Sequence, residues 1–170
     1  KQVPDTETKI QLKADRGGIE ETGVKWVMNP YDEFGVEEGL KFREANPGTT
    51  VTVISVGPKA RVVDTLRTAL AMGADEAVVV DSAEGLDPFA TAQALARAIQ
   101  KEGAPDLVFA GKLAIDDNSA AVGQMVAEFL GMPHVSVVSK MAYEPGKVTA
   151  EREVEGGTRE IFSVQLPCLI

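Results

Sequence analysis

Few side chains in this chain could do covalent chemistry. Its 170 residues include one histidine, His134, and one cysteine, Cys168. A lone His and a lone Cys cannot supply the usual ligand sets for structural zinc or an iron–sulfur cluster, and Cys168 has no partner for an internal disulfide. His134, after Met132-Pro133, reads as structural, and Cys168, within the apolar run Leu166 to Ile170, as buried and inert. No Ser or Cys has a base beside it, so no catalytic residue is expected. The Gly-rich dinucleotide fingerprint and the phosphate loop ending in Gly-Lys-Ser/Thr are both missing.

What remains is binding chemistry, and Gly111-Lys112-Leu113-Ala114-Ile115-Asp116-Asp117-Asn118-Ser119 is its richest segment. This mixed polar and apolar span exceeds the roughly 2–6 residues usual between a strand and a helix, and long loops tend to be functional. It leads into a helix N-terminus, whose free N–H groups and positive dipole end suit a phosphate. Asp116 and Asp117 oppose an anion there unless they face something else, such as ribose hydroxyls. On residue types alone two readings stay open: a nucleotide site, or a plain N-cap by one of the two aspartates. Asp5, Asp15, Asp32 and Asp75 read as scattered turn and cap residues on a solvated surface, and Lys1, Lys9 and Lys13 are too sparse for a basic patch.

Charge narrows the classes further. Lys and Arg number 17 against 26 Asp and Glu, a net charge of -9. Phosphate-backbone readers need clustered Lys and Arg, so neither nucleic acid nor an anionic membrane surface is an expected partner. No run of ~18 apolar residues is present, so no membrane insertion is expected, and no signal-peptide pattern opens the chain. A soluble intracellular protein is the expectation. Lys1-Gln2-Val3-Pro4 lacks an initiator Met and Leu166 to Ile170 stops inside an apolar run, so the chain reads as a fragment short of its first strand start and its C-terminal segment.

The elements that would position the loop alternate. Val51-Val56 is a β-branched run ending at Gly57-Pro58, followed by a helix with Val62, Leu66, Ala69, Leu70 and Gly73 on one face, Gly73 standing where a helix would stop. Ala77-Val80 is the next strand. Asp87-Pro88 then opens a helix as N-cap and first residue, with Phe89, Ala92, Leu95, Ala96 and Ile99 inward. Leu107-Ala110, a helix through Val122, Met125, Val126 and Phe129, and a strand Val135-Val138 complete the series. Near the start, Asn29-Pro30 caps a helix burying Val36, Gly39 and Leu40, after a polar stretch with hairpin character.

Short apolar strands between amphipathic helices predict an α/β fold: a Rossmann-like parallel sheet with helices on both faces. A single nucleotide-binding domain over 1–170 is expected, with a core over 1–138 and a β-hairpin over 139–170 around Glu155-Gly156-Gly157. In such sheets ligands lie beyond the carboxyl ends of the strands. Three segments fit: Asn29-Pro30-Tyr31-Asp32, Val56-Gly57-Pro58 and the 111–119 loop.

Several motifs resemble the electron transfer flavoprotein β-subunit family. They are Lys1 to Asp5, Met28 to Glu33 with Val36-Glu37-Glu38, Leu66 to Asp75, Gly111 to Asp117, Glu151 to Gly157, and Leu166-Pro167. They occur in the family's order along the whole chain. The resemblance implies an adenine nucleotide α-hydrolase-like fold and a heterodimer with the electron transfer flavoprotein α subunit, which holds most of the FAD. It implies a structural AMP on this chain, with electrons accepted from acyl-CoA and other dehydrogenases and passed to a quinone oxidoreductase. The compartment implied is the cytoplasm in a bacterium or the mitochondrial matrix in a eukaryote.

Carried over by position, the AMP pocket comprises Asn29, Pro30, Tyr31, Asp32, Val56, Gly111, Lys112, Leu113, Ala114, Ile115, Asp116, Asp117, Asn118, Ser119, Ala120, Ala121 and Val122. Many AMP-holding members have polar side chains where Ala120, Ala121 and Val122 stand, so the phosphate grip here falls to backbone N–H groups and Ser119. A strand contact on the adenine side would precede Lys1, and the dehydrogenase recognition loop would follow Ile170. Two alternatives remain: a bifurcating subunit with a second FAD in the pocket, and a universal-stress-like nucleotide-binding regulator that dimerises with itself.

Overall fold

The computed structural model describes residues 1–83 and 85–170. Its first strand, β1 (Gln2–Pro4), pairs antiparallel with β2 (Trp26–Met28), in register Gln2 with Met28 and Val3 with Val27. Val3 is fully buried, which anchors this ribbon and carries Lys1 to the edge of the site. The polar stretch between the two strands closes through an antiparallel bridge, Leu12 with Ile19.

Helix α1 (Pro30–Ala45) buries Val36, Gly39 and Leu40 as expected. β3 (Thr52–Gly57) and β4 (Glu76–Asp81) pair in parallel, in register from Thr52 with Glu76 to Gly57 with Asp81. Between them α2 (Lys59–Met72) buries Val62, Thr65, Leu66 and Ala69 and stops at Gly73, whose φ of 124° is a conformation glycine adopts without the strain of a Cβ. Leu70, expected inward, is 40% exposed because it lies one position past the 62, 65, 66, 69 stripe.

In α3 (Pro88–Glu102) the Asp87 carboxylate accepts the Ala90 N–H at 2.7 Å, the expected cap. Phe89 departs from expectation. It sits in the first turn beyond the buried Ala92 and Ala96, is 55% exposed, and meets the Phe129 ring edge-on with centroids 5.3 Å apart. Helix α4 (Val122–Leu130) packs on α3 through Ala92, Val126 and Ala127, with Val108, Ala110 and Leu169 completing the cluster. The α1–α2 cluster is separate: Val36, Leu40 and Ala69 pack with Met28, Val51, Val53 and Met72.

β5 (Leu107–Val108) is shorter than the expected 107–110 run, but its pairing with β9 (Cys168–Leu169) is parallel and continues through Ala110 N–H to Ile170 O at 3.0 Å. Cys168 is fully buried, as expected. Desolvation pushes its thiol pKa above the usual range. His134 bridges Leu169 in parallel, a structural position.

The expected strand 135–138 does not form as a unit. Val137 has φ 58°, a left-handed conformation costly for a β-branched residue, and this breaks the extended run before β6 (Val138–Glu144) begins. β6, β7 (Lys147–Glu153) and β8 (Arg159–Gln165) make an antiparallel sheet in that order, so the expected hairpin is the β7–β8 pair with a third strand added. Its buried face of Val148, Ala150 and Val164 packs with Val135 and Cys168, which ties this sheet to the parallel part. Mixed α/β architecture, parallel strands and four helices among the described residues agree with the fold class read from the sequence. Among the described residues no helix is long and apolar enough to cross a membrane.

Candidate functional site

Asn29 is the hub of the site. Standing between β2 and the Pro30 that starts α1, it is 1% exposed. A buried primary amide must place both its donor and its acceptor capacity, and here the loop takes them. Asn29 Nδ2 donates to Leu113 O at 2.9 Å and to Asp32 Oδ2 at 3.0 Å, while Oδ1 accepts the Ile115 N–H at 3.1 Å. The expected capping of α1 thus comes without a side-chain bond: the Asn29 backbone oxygen accepts from Asp32 N and Glu33 N, and its amide spans 84 and 86 residues to hold the loop.

Asp32 adds a second tie. Its Oδ1 accepts the Gly111 N–H at 3.0 Å. The approach admits glycine alone, since a Cβ on residue 111 would lie 2.6 Å from Asp32 Oδ1, 2.7 Å from Asp32 N and 2.8 Å from Tyr31 C. Real Cβ atoms do not come so near a backbone, so loop and helix start fit together only with Gly111 in place. Over the adjacent Tyr31 ring stands the Lys112 ammonium, 4.7 Å from the centroid.

Beyond this anchor the loop turns on itself. Asn118 N–H donates to Ala114 O at 2.9 Å and Ser119 N–H to Asp117 Oδ1 at 2.9 Å. Asn118 and Ala120 have φ of 54° and 48°. Asp116 and Asp117 both face Lys1, whose Nζ lies 2.7 Å from Asp116 Oδ1 and 2.7 Å from Asp117 Oδ2. Burial pulls the Lys1 pKa down, but the two carboxylate hydrogen bonds outweigh it and hold it above the ordinary value. The Lys1 bond and the Ser119 N–H hold Asp117 below the usual carboxylate range.

The position of α4 decides against the cap reading of the aspartates. Neither caps α4, which begins five residues after Asp117 with Ala121 at its N-cap and no side-chain cap. The first N–H groups of α4, at half-buried Val122, Gly123 and Gln124, thus receive no side-chain cap, and a helix start gives them no partner within the helix. Both aspartates are turned to Lys1 rather than standing as bare charges beside that terminus.

Asn29, Pro30, Tyr31 and Asp32 are thus brought together with Gly111, Lys112, Leu113, Ile115, Asp116 and Asp117, and the loop runs on through Asn118, Ser119, Ala120 and Ala121 to Val122. Val56 lies near the C-terminal end of β3, in register with Val80, and takes no part in the polar contacts just described. Two of the residues set aside as surface have structural work. Asp32 is a tie of the site, and Asp75 accepts the Val51 N–H and an Arg43 N–H at 2.8 Å each, which lowers its pKa. Lys1 is the site residue that sequence reasoning missed, because its carboxylate partners are 115 and 116 positions away. Among the described residues no group of His, Cys, Asp and Glu could hold a metal ion.

The profile of the electron transfer flavoprotein domain matches residues 17–170. The chain is 42% identical over its whole length to an electron transfer flavoprotein subunit beta of Syntrophomonas wolfei, of which it covers 66%. It is 45% identical over its whole length to a mitochondrial one of Oryza sativa subsp. indica, covering 68%, and 41% identical to the human one, covering 67%. The chain therefore spans about two thirds of the length of these relatives.

Proposed function

The chain belongs to the electron transfer flavoprotein β-subunit family, and from that membership we propose that it works as an electron-carrier subunit rather than as a catalyst of bond making. In this reading it pairs with an α subunit that holds most of the FAD, and this chain binds a structural AMP. FAD, when bound, supplies the electron-accepting and electron-donating chemistry. This chain's residues bind and orient. Electrons would come from acyl-CoA and related dehydrogenases and leave to a quinone oxidoreductase, in the bacterial cytoplasm or the mitochondrial matrix.

The observation that supports AMP most directly is the uncapped start of α4 at the end of a loop clamped by Asn29 and Asp32. Uncapped N–H groups on a helix N-terminus favour an anion, and a loop fixed at Gly111, Leu113 and Ile115 presents them without reordering on binding. The residues present fit a phosphate held by backbone: Ala120, Ala121 and Val122 have no side-chain donor, so Ser119 and the N–H groups of α4 form the grip. With Asp116 and Asp117 engaged by Lys1, the repulsion expected between them and a phosphate is reduced.

The test is to purify the complex with its α partner, denature it, and identify the released nucleotides by absorbance and mass. One FAD and one AMP per heterodimer is the expected result. Two FAD would replace the reading with a bifurcating subunit, and ATP on a flavin-free homodimer would sink both flavoprotein readings.

A further inference from the structure

We propose that Lys1 is a positioning residue for the nucleotide site, acting through Asp116 and Asp117 to set the 111–121 loop and to mask its charge. This rests on the nucleotide reading of the same site.

Lys1 O accepts the Asn29 N–H at 2.9 Å, so the β1–β2 ribbon fixes the Lys1 backbone against the start of α1. From there its side chain crosses to the loop and reaches one oxygen of each aspartate at 2.7 Å. The Lys1 backbone thus meets the start of α1 while its side-chain ammonium bonds both aspartates, so one residue joins β1, the start of α1 and the loop.

The loop needs such a tie. Ala120 takes a left-handed backbone conformation, which an alanine holds only when surrounding contacts fix it, whereas the left-handed Asn118 near it is a residue type that tolerates that region. Asp116 and Asp117 are adjacent like charges a few residues before the uncapped N–H groups of α4. Left bare, they would repel each other and any phosphate at that terminus. With Lys1 bound to both, the trio carries one net negative charge instead of two, and its carboxylates are directed at Lys1. Lys1 need not touch the ligand to do this.

That indirect role makes a sharp prediction for a double-mutant cycle, in which residues acting as one unit give non-additive losses. The protein used is the complex with its α partner, stripped of nucleotide and titrated with AMP. The variants are Lys1→Met, Asp116→Asn with Asp117→Asn, and all three together. Asn keeps an acceptor for the Ser119 N–H, so the turn itself survives. Lys1→Met is expected to weaken AMP on the order of tenfold. The triple variant should bind no more weakly than Lys1→Met, and Lys1→Arg should keep most of the affinity because a guanidinium can still bridge both carboxylates. Losses that multiply would overturn the proposal, since Lys1 would then act apart from the aspartates, and so would Lys1→Met binding like the unaltered protein.

A second readout separates this proposal from the nucleotide reading. In the AMP-free complex, Lys1→Met should speed amide hydrogen exchange at Asn118 and Ser119, with no further rise in the triple variant. If the unaltered protein fails to bind AMP while this exchange pattern holds, the nucleotide reading falls and the loop tie stands. If exchange at these amides does not change, the tie falls whatever AMP does.

Discussion

Replacing Gly111 by alanine adds one carbon at the tightest point of the site. That carbon would lie 2.6 Å from Asp32 Oδ1, 2.7 Å from Asp32 N and 2.8 Å from Tyr31 C. The carboxylate oxygen can swing aside, but the two backbone atoms at the start of α1 cannot move without shifting the helix. Overpacking of this kind costs about 1–3 kcal/mol. Separating the loop from α1 also stretches the Gly111 N–H bond to Asp32, a bond to a charged acceptor worth about 1.5–3 kcal/mol when fully buried. Asp32 is 27% exposed, so the lower half of that range applies. Alanine returns about 0.4–1 kcal/mol by restricting the unfolded chain. The net is a loss of about 1.5–5 kcal/mol, which for a domain of this size lowers Tm by about 3–20 °C.

The assay is a thermal melt of Gly111→Ala beside Gly18→Ala, whose added carbon would meet nothing closer than Lys13 Nζ at 4.0 Å. Gly111→Ala should melt lower and lose nucleotide during purification, while Gly18→Ala should do neither. A Gly111→Ala protein that melts within a degree of the unaltered one would refute the claim that glycine sets this approach.

Two further outcomes follow from the same geometry. Val137→Gly should raise stability by up to about 1 kcal/mol, because it relieves the left-handed strain at a half-exposed valine and returns part of that gain as chain entropy; a lower Tm would show that the side chain packs usefully. The Lys1 tie should also have a pH window. Asp117 titrates below its ordinary 3.8, so its contribution is present above that value and is lost as pH falls through the depressed one; Lys1 titrates above 10.5, so its contribution is present below that value and is lost as pH rises past the elevated one. Exchange at Ser119, corrected for its intrinsic pH dependence, should therefore stay slow between about pH 4 and 10 and quicken outside, and Asp117→Asn should remove the acid limb.

Much of the parallel part was legible because local chemistry marks it. The β-branched run before Gly57, the Asp87-Pro88 start and the Gly73 stop each act within a few residues, and all three appear where expected. Where burial depends on a neighbouring element, the pattern misled: Leu70 and Phe89 keep helical spacing yet lie at the margin of their contacts. Val137 shows a further limit, since nothing in a valine announces a left-handed backbone. At the site, the loop and Asn29 were visible as types and lengths. Their joining was not, because the Asn29 amide and the Lys1 ammonium reach across 84 to 116 residues. The aspartates illustrate the cost: a carboxylate pair before a helix suggests a cap, but only the fold shows an ammonium between them.

In the proposed function a nucleotide phosphate sits on the first N–H groups of α4. Amide hydrogen exchange across 111–130, measured on the nucleotide-stripped complex before and after saturation with AMP, tests it most directly. Exchange at Val122, Gly123 and Gln124 should slow most, with a smaller change at Ser119. AMP bound with those three amides exchanging as before would mean that the phosphate sits elsewhere.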